Sequence, residues 1–290
     1  MRRADGAARV ERRPRLADVS RLAFGPFGIT TGLTSSPESL EAATAAEELG
    51  YPAIWLSGGP LPGLRTVTDL IQATNTIKFV PGILSVDKYG PADITATYET
   101  LEAEYPGRFT VGLGGAHGPH PLAVLGRFLD RLDAVPADRR VLAALGPRML
   151  ELARDRTAGA YPFLITPAYT AEARAILGDD KLLAVNHLVV VEPDADRARA
   201  IARDTISFFT RIPAYAASLE RMGFPRSDFA TLPDPMIDAL AAWGTPDQIA
   251  TKLHEHLAAG ADHVAINVIT GITGPQPVNQ WRTLAPALLT

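Results

Sequence analysis

From residue 24 onward, short apolar runs alternate with stretches whose apolar residues recur at helical spacing. The first run covers residues 27–30. Ser36 then offers a helix N-cap with Pro37 at the first helical position, Leu40, Ala43 and Ala46 share one face, and Gly50 marks the stop. Further runs at 53–56, 77–80, 109–113, 141–145, 161–165, 182–191 and 263–269 complete a set of eight expected strands. The same helix grammar returns near the C-terminus. Thr245-Pro246-Asp247-Gln248 reads as a capping box, Ile249, Leu253 and Leu257 as a buried face, and Gly260 as the stop before the last strand. Residues 170–178, leading into 182–191, form a third copy.

The strands lack strict polar alternation, which marks strands buried on both faces of a parallel sheet. Each strand but the last is followed by a helix or a helical insertion. The spacing breaks once, between the seventh and eighth strands, where helical patterns run from 194 to about 222 and again around 235–243. The expected architecture is an α/β (β/α)8 TIM barrel with a helical insertion after strand seven. An open doubly wound sheet is the rival, but Gly25-Pro26-Phe27-Gly28 does not fit its glycine fingerprint.

Composition adds exclusions. The 290 residues include no cysteine, which removes disulfides, thiolate nucleophiles and cysteine-based metal sites. Apolar runs stop well short of a membrane span, and a net charge of −4 argues against a nucleic-acid-binding body. Residues 1–22 carry seven arginines against three acids, a local +4, and lack the apolar stretch of a secretory signal. They read as a flexible Arg-rich tail before a single barrel domain over 23–290, in a protein expected in the cytoplasm.

In such a barrel, chemistry belongs at the C-terminal ends of the strands. Four of those ends carry glycine: Ser57-Gly58-Gly59, Gly82-Ile83-Leu84-Ser85, Gly112 through His117, and Gly146-Pro147-Arg148. Glycine there either lets a flat ring or a phosphate approach the backbone or simply makes a tight turn. Gly146-Pro147-Arg148 is the best anion site, with free N–H groups at a helix start and a guanidinium in the first turn. His117 and His120 share a loop without an acid beside them, so a metal is not expected. His254 and His256 read as surface residues and His263 as structural, while His187 either points into the barrel mouth or fills the core. No Ser-His-Asp set or carboxylate pair stands out.

The segments 49–56, 73–83, 106–114 (Pro-Gly-Arg-Phe-Thr-Val-Gly-Leu-Gly), 143–149, 243–246 and 259–264 resemble the luciferase-like monooxygenase superfamily. Within it they resemble the oxidoreductases that use the deazaflavin coenzyme F-420. The resemblance implies a deazaflavin in the barrel mouth and hydride transfer to or from a small organic substrate. It places a strand-three bulge with a non-prolyl cis peptide at Gly82, Ile83 and Leu84. Gly114, Ala116 and His117 would border the ring, and Gly146, Pro147, Arg148 and Met149 would take the phosphate-bearing tail. Relatives carry an Asp-His pair after the strand-two Trp and some carry an acid after the strand-four glycines. This chain has Leu56-Ser57-Gly58-Gly59 and Gly115-Ala116 instead, which leaves His117 as the candidate catalytic residue. An FMN-dependent monooxygenase of the same fold is the alternative, and a barrel that binds a cofactor without turnover is a third reading. Expected partners are a small-molecule substrate and a second copy of the chain, with no nucleic acid and no membrane.

Overall fold

In a computed structural model that describes residues 22–57, 59, 61–116, 118–272 and 274–289, the first half-unit forms as its sequence dictates. Strand β1 (Phe27–Thr31) leads to helix α1 (Pro37–Glu48), whose N-cap Ser36 accepts from the Ser39 N–H. Strand β2 (Ala53–Ser57) follows. The pattern continues through α2 (Leu64–Gln72), β3 (Lys78–Gly82), β4 (Leu84–Ser85), α3 (Pro91–Glu104), β5 (Val111–Gly114) and α4 (Pro121–Leu129). Next come β6 (Arg140–Leu142), α5 (Pro147–Arg156), β7 (Gly159–Ala160), α6 (Pro167–Leu177) and β8 (Leu182–Val190). The insertion holds α7 (Ala195–Phe209), α8 (Pro213–Arg221), α9 (Asp234–Leu240) and β9 (Ala241–Trp243). The chain then closes with α10 (Pro246–Ala258), β10 (His263–Val268) and α11 (Val278–Leu288).

All strand pairs are parallel, in the order β3-β2-β1-β10-β8-β7-β6-β5-β4. The seam between β3 and β5 is held at Phe79, whose N–H donates to the Arg108 carbonyl (2.8 Å) and whose carbonyl accepts from the Thr110 N–H (3.1 Å). The sheet is therefore a nearly closed (β/α)8-type barrel with its insertion after the seventh barrel strand, as the sequence pattern implies.

Four elements differ from expectation. The sixth strand, expected over 161–165, is the two-residue β7. Pro162 has no N–H to offer a ladder and Leu164 takes a positive φ of 58°, so the regular ladder ends at Ala160 and continues only as an isolated bridge at Phe163. The long helical pattern from 194 breaks at Ile212, where Pro213 starts a new helix. Residues 241–243, read as helix, form β9, which pairs with β8 at Leu188–Val190 above the point where β7 ends. The last strand is also followed by a helix, α11.

Two apolar layers result. The larger lies between sheet and helices, and a smaller cluster inside the barrel joins Leu22 and Phe24 to Trp55, Val80, Tyr161 and Ala265. The expected tail over 1–22 lies outside the described residues except for Leu22, which is buried in that inner cluster.

One buried and one half-buried charge are structural staples. The Arg108 guanidinium donates to the carbonyls of Ile71, Thr74 and Ile77 and to the Thr74 hydroxyl. The Glu47 carboxylate accepts from the backbone N–H groups of Asn75, Thr76 and Ile77. Burial pushes the Glu47 carboxyl up, but those donors outweigh it and hold it at about 2.

Candidate active site

The floor of the barrel mouth is built from residues far apart in sequence. Trp55 of β2 and Tyr161, just after β7, stack with ring centroids 4.0 Å apart and planes 7° from parallel. Tyr161 thus crosses the barrel, and its hydroxyl shares a 2.8 Å hydrogen bond with Thr30 of β1. Beneath the stack, the Trp55 indole N–H donates to Nε2 of His263 (3.0 Å), leaving the His263 Nδ1–H to donate to the Gly25 carbonyl (2.8 Å). Burial holds His263 neutral, lowering its pKa to about 4 against the pull of its backbone hydrogen bonds. His263 is structural, as expected.

Asn186 of β8 faces the barrel interior beside the Tyr161 hydroxyl. It is 5% exposed, and its Oδ1 is buried without a hydrogen-bond partner among the described residues. Burial pushes the Tyr161 phenol well above its ordinary pKa, so it stays protonated as a donor and acceptor. Thr30, Tyr161 and Asn186 together give the floor neutral polarity.

On one wall, two strand glycines make room for side chains that pack directly on the backbone. A Cβ on Gly82 would sit 2.7 Å from Tyr161 Cε1, and one on Gly114 would sit 2.8 Å from Ile83 Cδ1. Ile83 therefore lies over Gly114, half-buried, at the break where β3 ends and β4 switches partner to β5. The peptide bonds here are trans, which corrects the expected cis peptide at Gly82, Ile83 and Leu84. The bare Gly114 gives Ile83 room, so the partner switch is made with ordinary peptides. Leu84 is fully buried and Ala116 nearly so, the latter at a positive φ of 58°. His117 lies outside the described residues, and His120, exposed, caps α4.

At the end of β6, Gly146 caps α5, and Pro147 and Arg148 are exposed in its first turn while Met149 packs on the main core. Two residues unforeseen from sequence converge here. Arg221 of α8 donates to the Leu145 carbonyl (2.7 Å), and the Tyr169 hydroxyl of α6 donates to the same oxygen (2.6 Å). Arg221 Nη2 lies 3.6 Å from where a Gly146 side chain would begin, so two guanidiniums flank this helix start.

The remaining histidines divide differently from expectation. His187 faces away from the mouth, toward the helices, and shares a 3.0 Å hydrogen bond with His256, which is bonded in turn to Thr170 (2.8 Å). His256 is fully buried rather than on the surface, because α10 packs against both β8 and α6 there. Of His187, His254 and His256, His254 alone is exposed. Burial, and then the neighbouring His256 and Lys252, keep His187 neutral; burial and Lys252 lower His256 to about 4.

The insertion roofs the mouth with aromatic rings. Phe163, bridged to Asn186 in the sheet, meets Phe209 at 4.9 Å and Tyr215 at 5.9 Å. Burial pushes the Tyr215 phenol up to about 12. On the β1 and β10 side, a cavity of about 460 Å³ opens between α7 and the loop after β10, lined by Thr31, Ile201, Asp204 and Gln276 among others. Among the described residues, no three His, Asp or Glu side chains cluster as metal ligands, and no helix is long and apolar enough to cross a membrane.

Residues 22–141 match the family model of luciferase-like monooxygenases. Over that stretch, less than half of the chain, the sequence is similar to luciferase-like monooxygenases. The solved barrels it resembles span two kinds of chemistry. An F-420-dependent secondary alcohol dehydrogenase, solved with an F-420–acetone adduct, superposes with a TM-score of 0.71 at 15% identity, over 91% of this chain and 99% of that one. The coenzyme F-420-dependent tetrahydromethanopterin reductase from Methanopyrus kandleri gives a TM-score of 0.71 at 19% identity, over 92% and 99%. The oxygenating constituent of 3,6-diketocamphane monooxygenase from Pseudomonas putida, in complex with FMN, gives 0.66 at 13% identity, over 91% and 98%. At these identities the likeness is one of fold. Two uncharacterized proteins of Bacillus subtilis (strain 168), YceB and YwcH, are each 29% identical, over 93 and 98 residues. Those stretches are 30% and 31% of this barrel and only 28% and 29% of the relatives' own length.

Proposed function

We propose that this luciferase-like barrel is an oxidoreductase that binds the deazaflavin coenzyme F-420 in its mouth and transfers a hydride to or from a small organic substrate. The observation that carries this reading is the pairing of the α5 start, where Gly146, Arg148 and Arg221 come together, with a neutral floor at Thr30, Tyr161 and Asn186. A flat, uncharged ring suits such a floor, and an anionic tail suits the helix start. Ile83, Gly114 and Ala116 border the ring in this reading, with buried Leu84 backing the wall. The cofactor's phosphate and acidic tail run to Gly146, Pro147, Arg148 and Met149, where the free N–H groups of α5 and the guanidiniums of Arg148 and Arg221 face an anion. The bound cofactor supplies the two-electron chemistry, and the protein supplies orientation and electrostatics.

His117 is the proposed proton-handling group. It follows Ala116 directly at the catalytic end of β5, while His187, His256 and His263 are buried and neutral outside the mouth. A positioned general acid or base contributes about 10²–10⁴-fold.

Titration of the protein with oxidised deazaflavin coenzyme and, separately, with FMN tests the reading by fluorescence quenching. The expected result is saturable binding of the deazaflavin, tighter than FMN by about tenfold or more. Tighter binding of FMN reassigns the barrel to flavin monooxygenase chemistry, and binding of neither overturns the cofactor reading.

A further inference from the structure

The buried Asn186 Oδ1 has no partner among the described residues, although its surroundings are otherwise well satisfied. The carboxamide lies beside the Tyr161 hydroxyl, which is already bonded to Thr30. A buried acceptor left without a donor is costly, so a native barrel that keeps one has a use for it. Replacing Asn186 by an apolar residue would have removed the cost at a strand position surrounded by Ala184, Leu188 and Ala265.

We propose that Asn186 is the residue that recognises the imide edge of the cofactor's ring, its Oδ1 accepting the ring's imide N–H. This rests on the cofactor reading above but is indifferent to which ring system binds, since deazaflavin and flavin carry the same imide between two carbonyls. The requirement is chemical. Oδ1 can only accept, so the group facing it must bring an N–H or O–H. The floor residues around it, Thr30, Trp55 and Tyr161, are neutral, so the donor is uncharged. Asn267 of β10 stands one inward-facing position above Ala265, the register partner of Asn186. It is half-buried and bonded by its side chain to no other described residue, which makes it available as a donor to a ring carbonyl.

The inference separates from the cofactor reading in one experiment. The deazaflavin headgroup without its phosphate tail, and the same headgroup methylated at the imide nitrogen, are titrated into the wild-type protein and into Asn186→Leu, with ring fluorescence as the readout. Wild type is expected to bind the methylated headgroup about 10- to 100-fold more weakly, and Asn186→Leu to bind the two alike. Equal binding of both headgroups by wild type overturns the role of Asn186 while leaving the cofactor reading intact. A methylation penalty that persists undiminished in Asn186→Leu does the same. If neither headgroup binds and the full cofactor does not bind either, the cofactor reading fails. Should Asn186→Leu not fold, the wild-type comparison and Asn186→Ser carry the test.

Discussion

The phenol ring of Tyr161 lies flat on the indole of Trp55, 4.0 Å away and 7° from parallel, and its hydroxyl is tied to Thr30 across the barrel. This one side chain separates the packed interior from the mouth. Its two interactions are separable by mutation. Tyr161→Phe keeps the stack and loses the hydroxyl bond, for about 0.5–1.5 kcal/mol. Tyr161→Ala loses both and opens a cavity, for about 3–5 kcal/mol. Urea unfolding of the two variants measures the difference, and equal losses would show that the stack contributes nothing.

The two wall glycines make a contrasting pair of predictions. At Gly82 an added methyl meets Tyr161, which the Trp55 stack and the Thr30 bond hold in place, so Gly82→Ala is expected to cost about 1–3 kcal/mol of stability. At Gly114 it meets the flexible end of Ile83 at 2.8 Å, with Ile83 Cγ2 and the Ala143 Cβ at 3.1 and 3.2 Å, which need give only a few tenths of an ångström. Gly114→Ala should therefore cost less stability than Gly82→Ala while weakening binding of the deazaflavin ring. Melting curves and quenching titrations on both variants check this.

Stability should fall on the acid side in a defined window. His256 and His263 sit at about 4 in the folded chain and His187 is lowered as well, against 6.5 unfolded. Between those values the unfolded chain binds the extra protons, so stability rises with pH and is fully present above about 6.5. Each such histidine contributes a slope of up to about 1.4 kcal/mol per pH unit. Glu47, lowered from 4.5 to about 2, extends the loss further down. Denaturant unfolding from pH 7.5 to 4 should show the decline, and His256→Gln should flatten part of it. A flat profile would contradict the neutral, buried assignment.

Much of this arrangement is readable from the residues in order. The helix caps at Ser36 and Thr245 and the glycine-bearing strand ends are local signals, and they lead to the barrel and to both the wall and the α5 helix start. What is not readable is contact across the barrel. Tyr161 and Thr30 are 131 residues apart, and a strand buried on every position, such as β8, does not say which of Asn186 and His187 faces inward. His256 is hidden for a similar reason, since a helix wedged between a strand and another helix buries more than its own apolar stripe. Strand β9 has no signal of its own, as it follows α9 without a turn residue.

Arg148 makes no ion pair among the described residues and stands exposed at the start of α5. Arg148→Ala should weaken binding of the complete cofactor by about 1.5–3 kcal/mol, the range for a hydrogen bond to a charged group. The headgroup lacking phosphate should be bound equally by wild type and variant. Equal losses for both ligands would move Arg148 away from the tail.

His117→Ala should lower turnover by about tenfold or more while leaving cofactor affinity nearly unchanged. Single-turnover oxidation of the reduced, bound cofactor reads the first quantity and quenching titration the second. Reduced affinity with intact turnover at saturation would make His117 a binding residue.

The central claim concerns where the ring lies, and a crystal structure of the protein with the oxidised deazaflavin coenzyme tests it most directly. The ring is predicted against Gly82 and Gly114, its imide edge at Asn186 and its phosphate at the α5 start beside Arg148 and Arg221. A ring seated instead in the cavity beside Asp204, or a phosphate bound away from α5, would contradict the account.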